Sequence, residues 1–248
     1  MQDLIDQAAQ WLREAEVVMA LTGAGISVDS GIPAFRGNQG LWERYDPMEY
    51  ASIDAFMADP VKVWDMLREL EALVLGAQPN AAHQALSRLE AMGHLHCLVT
   101  QNIDGLHQAA GHRRVVEFHG SGRRLVCLSC GRQVSRSSLV FAQMPPRCAC
   151  GGLIKPDVVF FGEPIPQRAA LTAMATAQSC QCMLVVGTSA MVAPASYLPG
   201  LAKQAGAKVV EINLEPSPLT GAVADLSIHA PASEVLPRLT EQLESLRH

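Results

Sequence analysis

The 248-residue chain lacks several features that define whole classes of proteins. No uninterrupted apolar run is long enough to span a bilayer, and the uncharged stretch between Arg168 and Lys203 is broken by glutamine, glycine and proline. The first residues include early acids instead of a basic segment followed by an apolar core, so we expect no signal peptide. The chain has no long repeat and no low-complexity tract. We therefore expect no membrane partner and no secretory targeting.

An excess of positive charge is also absent. The net charge of -5 gives no general attraction to nucleic acid, and we expect no sequence-specific nucleic-acid partner. A hydrophobic content of 49% and a charged content of 17% are typical of a compact soluble protein. The seven cysteines are an odd number, and four of them form two close pairs. This pattern indicates a metal site in a reducing compartment, which we take to be the cytoplasm, and not a disulfide scaffold.

Short apolar runs alternate with helical patterns along the chain. Helical spacing of apolar residues predicts helices over about 3–14, 53–75 and 79–92, and His83 in the last of these is expected to be structural. The apolar runs predict buried strands, which end after Leu21, Val99, Phe118, Val186 and Ile212. Strands that alternate with helices predict a mostly parallel, right-handed α/β sheet. Small or polar residues follow each strand, at the edge where such sheets place their ligands.

One strand end is especially polar. Gln101, Asn102 and Asp104 follow Val99 closely, and they combine amide donors and acceptors with a charged acceptor. This cluster suits a ligand that carries an amide, a ribose and phosphates, although a polar turn would explain the segment alone equally well. His119 ends the next strand near this cluster, where a histidine can serve as a general base near neutral pH.

Glycines follow two other strands. Gly23 and Gly25 open a strand-to-helix turn whose N–H groups could approach a phosphate, but Val28 stands where the dinucleotide fingerprint has its third glycine. The alternative is a tight βα turn. Phe35 and Arg36 lie in the next loop, where they suit either closure over a nucleotide or a surface loop with the ring in the core. The segments 187–189 and 213–215 offer further polar groups at strand ends.

The cysteine pairs form the strongest local signal. Two close pairs across a short insertion match a closed tetrahedral zinc site, formed by Cys127, Cys130, Cys148 and Cys150. Four protein ligands leave no open position for water, so the zinc is expected to be structural. The other cysteines are expected in the core: Cys97, Cys180 and Cys182. The arginines around the pairs suit a basic docking face or, more simply, a solvated surface: Arg123, Arg124, Arg132, Arg136 and Arg147.

Together these motifs resemble the sirtuin family, the NAD-dependent protein-lysine deacylases. The matching segments occur in the family's order over nearly the whole chain: 23–27, 31–37, 100–107, 119–120, the four cysteines, 158–163, 187–189 and 211–213. The length is similar to that of core-length members from bacteria and archaea. One departure is Ala34, because many members have Asp before the Phe-Arg pair of this loop.

The resemblance implies an α/β fold with two domains. A Rossmann-like parallel-sheet domain is expected over residues 1–37, 78–122 and 153–248. A smaller domain is expected to combine a helical module over 38–77 with a zinc-ribbon module over 123–152. NAD, consumed as a co-substrate, would lie in the cleft between the domains, and one structural zinc would lie in the smaller domain. The sequence indicates no oligomeric state.

The same resemblance assigns the site residues. His119 and Asn102 are the expected catalytic residues. The expected cofactor-binding residues are Gly23, Ala24, Gly25, Ser27, Phe35, Arg36, Gln101, Asn102, Ile103, Asp104, Gly187, Thr188, Ser189, Asn213, Leu214, Glu215 and Ala232. The expected substrate-binding residues are Val159, Phe161, Gly162, Glu163 and Val192. Those at 162, 163 and 192 would pair with an acylated-lysine protein or peptide as an added strand.

The implied reaction moves the acyl group from lysine to ADP-ribose. Its products would be free lysine, nicotinamide and O-acyl-ADP-ribose, with His119 taking a proton through the ribose hydroxyls. One alternative is a protein mono-ADP-ribosyltransferase, and another is a non-catalytic zinc-ribbon module that senses NAD. Nicotinamide release with and without an acylated peptide separates the three functions.

The helix expected above the acyl tunnel bears on the acyl group. Family members that prefer succinyl or malonyl lysine have a Tyr and an Arg there, and an ungapped placement sets Leu67 and Leu70 at these positions. Two leucines leave a buried carboxylate unpaired, so acetyl or longer aliphatic groups are expected. Arg68 is the residue that a shifted alignment would direct into the tunnel.

Overall fold

The computed structural model describes residues 1–35, 40–135 and 144–246. Two residues discussed above, Arg36 and Arg136, lie outside these ranges, so the expected cofactor contact of Arg36 stays a prediction. Among the described helices, none is both long and apolar enough to cross a bilayer.

A parallel sheet of six strands forms the centre of the fold. Its spatial order is β3 (Val115–Glu117), β2 (Cys97–Thr100), β1 (Val18–Thr22), β7 (Cys182–Val186), β8 (Lys208–Asn213) and β9 (Leu226–His229). Strands β1 and β7 are buried at every position, as expected for parallel strands covered on both faces. The strand order reverses between β1 and β7. This is the Rossmann arrangement, in which ligands bind beyond the carboxyl ends of the strands at this point.

Helices cover both faces of this sheet. One face carries α1 (Gln2–Glu14), α6 (Ala81–Ala91) and α10 (Ala232–Ser245). The other face carries α8 (Gln167–Ser179) and α9 (Leu198–Gln204). Helix α1 shows how the sequence produces this layer, since its apolar residues fall on one buried stripe: Ile5, Ala8, Ala9 and Leu12. Two apolar cores result, one on each face of the sheet.

A second, smaller unit combines short helices with an antiparallel sheet. The sheet has the order β5 (Gln133–Val134), β4 (Gly120–Cys127) and β6 (Ile154–Val158). The helices are α2 (Leu41–Arg44), α3 (Pro47–Tyr50), α4 (Ile53–Ala58) and α5 (Pro60–Gly76), while α7 (Leu106–Ala109) follows β2 of the large sheet. A third core joins this sheet to α4 and α5, and the Trp64 indole N–H donates to the Ile154 carbonyl at 2.9 Å. The expected domain boundaries stay a prediction.

The fold confirms the predicted parallel sheet and adds local details that the sequence did not predict. The segment expected to be helical over residues 53–75 is helical but consists of two helices, because Pro60 starts a new helix and the Asp59 carboxylate caps it by accepting from the Lys62 N–H at 3.0 Å. The segment after β1 is a 3₁₀ helix, Ala24–Ser30, which ends at Gly31 with φ +87°. Strand β9 was not predicted from the sequence.

Candidate active site

The two glycine turns meet where the strand order reverses. The Gly23 N–H donates to the Val186 carbonyl at 3.0 Å, and the Gly25 N–H donates to the Gly187 carbonyl at 2.8 Å. A Cβ on Gly25 would lie 2.8 Å from the Gly187 Cα, so this close approach requires glycine. Because both N–H groups already donate to protein carbonyls, these glycines shape the crevice. These bonds favour the tight βα turn given as the alternative for this segment, and the expected contacts of Gly23 and Gly25 with the cofactor stay predictions.

Asn102 and Asp104 form a buried polar network beside this turn. Each is only 6% exposed. The Asn102 amide donates to the Gly23 carbonyl at 3.0 Å and to the Ser27 hydroxyl at 3.1 Å. The Asp104 carboxylate accepts from the Ser27 hydroxyl at 2.8 Å and from the Leu106 N–H at 2.9 Å. These bonds fix an amide and a carboxylate in one orientation, and each carboxylate oxygen keeps a further lone pair for a ligand.

Gln101 links this network to the ends of the next two strands. Its side-chain amide donates to the Thr188 hydroxyl at 3.0 Å. The Asn213 amide donates to the Thr188 carbonyl at 3.4 Å and to the Glu215 carbonyl at 3.0 Å. The carboxyl ends of β2, β7 and β8 are thereby connected by side chains, which gives the crevice a continuous polar floor. This is the surface that the sequence analysis expected for a dinucleotide.

His119 lies half-buried just beyond the end of β3. Its Nδ1 is 3.0 Å from the Gln101 carbonyl, which can only accept a hydrogen bond. In the neutral ring, Nδ1 therefore carries the proton and Nε2 keeps its lone pair. Burial lowers the pKa of His119 below its ordinary value of 6.5, against the hydrogen bond to Gln101, which raises it. The ring is thus neutral at pH 7 and able to accept a proton through Nε2.

The segment after β6 joins His119 to the small unit. The Val159 N–H donates to the His119 carbonyl at 2.9 Å. Two residues later, the Phe161 N–H donates to the Ala51 carbonyl at 2.8 Å and the Phe161 carbonyl accepts from the Ile53 N–H at 3.0 Å. Residues 159–161 therefore run from the histidine to the helical module, along one wall of the crevice.

The two leucines on α5 face this wall. Leu67 and Leu70 are half-buried and pack against the core that contains Phe160, as does Ile103 of the crevice. Arg68, one position further along the helix than Leu67, is exposed. The helix therefore turns its leucines toward this core and Arg68 toward its surface, while the placement of the leucines above an acyl tunnel stays a prediction.

The comparison with known proteins identifies the family. The model of the Sir2 family matches residues 23–194, which include the crevice residues that follow β1, β2, β3 and β7. The chain belongs to the Sir2 family, the sirtuins. It is 49% identical to the NAD-dependent protein deacylase 2 of Pyrobaculum aerophilum over 237 residues, 95% of this chain and 94% of that protein.

Solved sirtuin structures resemble the whole chain. A crystal structure of a Sir2 homolog–NAD complex has a TM-score of 0.90 and 42% identity, and the match covers 100% of this chain and 95% of that chain. A Sir2–p53 peptide–NAD⁺ structure has a TM-score of 0.85 and 34% identity, with 96% of this chain and 97% of that chain covered. The family expected from the motifs is therefore confirmed.

The four paired cysteines of this sirtuin converge on one point. Their sulfurs all lie within 4.8 Å of one another, with 3.5 Å between Cys127 and Cys150 and 3.9 Å between Cys130 and Cys148. Zinc–sulfur bonds of about 2.3 Å in a tetrahedron place the sulfurs roughly 3.8 Å apart, so the cluster fits zinc. A Cβ on Gly152 would lie 2.7 Å from the Cys127 sulfur, which explains the glycine.

The position of this cluster supports a structural role for the metal. Strand β4 begins at Gly120, next to His119, and ends at Cys127 after eight residues. At about 3.3 Å per residue, the strand separates the metal from the histidine by up to about 25 Å. Arg124, one of the arginines around the cluster, bonds Asp157 and Glu117 at 2.9 and 2.6 Å. This arginine therefore belongs to a paired surface and not to an open docking face.

Some expected residues lie outside the crevice network. Phe35 stacks on Trp42, with 5.1 Å between the ring centroids. Leu214 is 68% exposed, and Ala232 is the first residue of α10. The Val192 carbonyl accepts from the Ser196 N–H at 3.0 Å. These four apolar side chains have no hydrogen-bonding groups that could join the polar network, and their expected roles stay predictions.

A pair of hydroxyl groups lies beneath the sirtuin crevice and was not predicted from the sequence. Thr22 and Thr100 are the last residues of β1 and β2, and their hydroxyls are 2.9 Å apart. The Thr22 hydroxyl also lies 2.9 Å from Nε2 of His107, and the Thr100 hydroxyl accepts from the Asn102 N–H at 3.1 Å. The sequence signal that could have predicted this pair is a polar residue, Thr22 or Thr100, at the end of an apolar strand.

Proposed function

We propose that this chain is an NAD-dependent protein-lysine deacylase that yields free lysine, nicotinamide and O-acyl-ADP-ribose. The observation that best supports this function is the position of His119. Its ring bonds Gln101 of the crevice, while its carbonyl accepts from Val159 of the adjoining wall. One residue thus joins the polar floor that suits NAD to the segment that suits a peptide. The deacylase named above and the peptide–NAD⁺ complex support this function.

NAD fits the donors and acceptors of the crevice. When bound, it supplies the ADP-ribosyl group that accepts the acyl group. The residues proposed around the phosphates and riboses are Ala24, Arg36, Gln101, Thr188 and Ser189. Those proposed at the adenosine end are Asn213, Leu214, Glu215 and Ala232. Phe35, Asn102, Ile103 and Asp104 are proposed around the nicotinamide, where the fixed Asp104 carboxylate would accept from the carboxamide.

His119 is the proposed general base. The bond from Nδ1 to the Gln101 carbonyl holds the ring, so that Nε2 is the atom that takes a proton from the ribose hydroxyls. The acylated lysine would enter along Val159 and Phe161, and the flanking peptide would pair with Gly162, Glu163 and Val192. We place this reaction on acylated-lysine proteins or peptides of the cytoplasm.

The decisive test measures nicotinamide release with and without an acetyl-lysine peptide. We expect peptide-dependent release accompanied by O-acetyl-ADP-ribose. His119→Ala should lower turnover by a factor of roughly a hundred to ten thousand while NAD binding, measured by calorimetry, is retained. ADP-ribose attached to protein instead would indicate the transferase, and NAD binding without any release would indicate a sensing module. Near-normal turnover by His119→Ala would remove the proposed base.

The leucines of α5 support a neutral aliphatic acyl group. Leu67 and Leu70 pack against the core beside Phe160, and Arg68 is exposed. A succinyl or malonyl carboxylate between two leucines would lose its hydration without gaining a partner. Each buried CH₂ of an aliphatic chain contributes about 0.8 kcal/mol. We therefore propose acetyl and longer aliphatic acyl groups as substrates.

A further inference from the structure

Lys155 on β6 is buried beneath the peptide wall. Lysine is almost never fully buried unless it is paired, and this residue is only 3% exposed. Its ammonium lies 3.0 Å from the Glu163 carboxylate and donates to the Val158 carbonyl at 2.6 Å. It also lies 4.7 Å from the centroid of the Phe160 ring. The ammonium therefore contacts Val158 at the end of its own strand, and Phe160 and Glu163 in the segment that follows.

Glu163 completes this arrangement from the other end of the segment. The carboxylate oxygen that faces Lys155 also accepts from the Phe160 N–H at 2.8 Å. The Glu163 N–H in turn donates to the Phe160 carbonyl at 3.0 Å. Between them, Gly162 has φ +90°, which a side chain would strain. The Glu163 carboxylate and N–H are thus both bonded within this segment, which leaves the backbone carbonyl of Glu163 for the peptide contact expected there.

The segment held in this way is the one that touches His119 and the helical module. Its first residue, Val159, donates to the His119 carbonyl at 2.9 Å, and Phe161 bonds Ala51 at 2.8 Å. The groups proposed for NAD are held by other bonds, such as those of Asn102 to Gly23 and Ser27. Loss of the ion pair should therefore disturb the peptide wall and leave the NAD crevice intact.

We propose that Lys155 is a positioning residue for the peptide substrate, acting through its ion pair with Glu163. This inference rests on the proposed deacylase function. Removing one partner of a buried pair leaves the other charge unpaired, and the segment must then rearrange to hydrate it. The fraction of molecules with a peptide-competent wall falls, and the apparent peptide affinity falls by the same factor.

The test compares Lys155→Met with Lys208→Met, a control on β8 whose side chain is 51% exposed. For each protein we would measure KM for NAD and for an acetyl-lysine peptide from nicotinamide release. Binding of a fluorescent acetyl-lysine peptide by anisotropy gives an independent readout. Lys155→Met should raise the peptide KM and Kd by about tenfold or more, while KM for NAD changes by less than about twofold. The control should behave as the wild type.

Two further variants test the same ion pair if Lys155→Met folds poorly. Lys155→Met with Glu163→Gln removes both charges, so it should regain part of the lost peptide affinity. Glu163→Gln alone should weaken the peptide without affecting NAD. Unchanged peptide affinity in the folded variants, an equal loss for NAD and peptide, or a double variant no better than Lys155→Met would each overturn the assignment. If the wild type releases no nicotinamide but binds the peptide, and Lys155→Met weakens that binding, the proposed reaction is refuted and the positioning role is not.

Discussion

Acid should destabilise this protein through a cluster of three buried histidines. His83, His107 and His112 are between 0% and 6% exposed, and their rings lie next to one another with centroids 4.9 and 5.3 Å apart. Burial is the largest cause that lowers the pKa of each. For His83 the pKa falls from 6.5 to about 4, although the Asp104 carboxylate raises it. The pKa of His107 falls well below 6.5, and that of His112 is lowered against the opposing effect of Glu90.

The sign of the effect follows from proton binding. In the unfolded chain these rings take up protons as the pH falls through 6.5, whereas the folded His83 takes one up only near pH 4. The unfolded state thus binds more protons between these values, so the free energy of unfolding falls as the pH is lowered through this window. For His83 alone, the loss reaches about 2 kcal/mol at a pH of about 5 and about 3 kcal/mol below both values.

A matched variant isolates this contribution. His83 accepts from the Asn80 N–H at 3.3 Å in a capping box at the start of α6, and glutamine can fill the same role without ionising. We would measure urea unfolding of the wild type and His83→Gln between pH 7.5 and 5, with zinc present. Titrating groups distant from the cluster contribute equally to both proteins, whereas any change in the pKa of His107 or His112, which lie next to His83, is part of the measured difference.

The difference in unfolding free energy between the two proteins should be nearly constant above about pH 7. It should then shift by about 2 kcal/mol in favour of His83→Gln toward a pH of about 5. Parallel stability curves throughout this range would show that His83 takes up its proton at the same pH in the folded and the unfolded protein, and would refute the burial argument.

Three other predictions concern zinc, the acyl group and NAD. Elemental analysis should find one zinc per chain, and its removal by a chelator should unfold the module over 123–152 and lower activity; folded, active protein without zinc would contradict this. On one peptide, kcat/KM should be higher for acetyl, butyryl or myristoyl than for succinyl lysine, and the reverse would refute the placement of Leu67 and Leu70. Glu211, 1% exposed, accepts from the hydroxyls of Ser217, Thr220 and Ser227. These bonds hold the segment that follows Glu215 of the proposed adenosine end. Glu211→Gln should therefore raise KM for NAD without changing KM for the peptide, and it should lower the free energy of unfolding by about 2 kcal/mol. An unchanged Tm would argue against this role of Glu211.

The sequence by itself determined the parts of this protein that depend on neighbours along the chain. Buried strands such as β1 and β7 are short apolar runs, and their pattern is local. The cysteine spacing likewise indicated a four-ligand site, and the four sulfurs do converge. The order of the motifs was sufficient to identify the family, because each motif is a short run of fixed residues. The break at Pro60 was also local, and the helical periodicity on both sides obscured it.

The tertiary structure decided what depends on strand order. The glycine pattern suggested phosphate contacts, yet Gly25 is required because the order of the sheet places β7 beside β1 and brings Gly187 against it. The hydroxyl pair of Thr22 and Thr100, and the contact of Val159 with His119, similarly join segments far apart in the chain. A hydrogen bond fixes two atoms to within a few tenths of an ångström. Sequence periodicity predicts only which face of a helix or strand is buried. Individual hydrogen bonds between distant segments depend on strand register and packing, which only the folded structure shows.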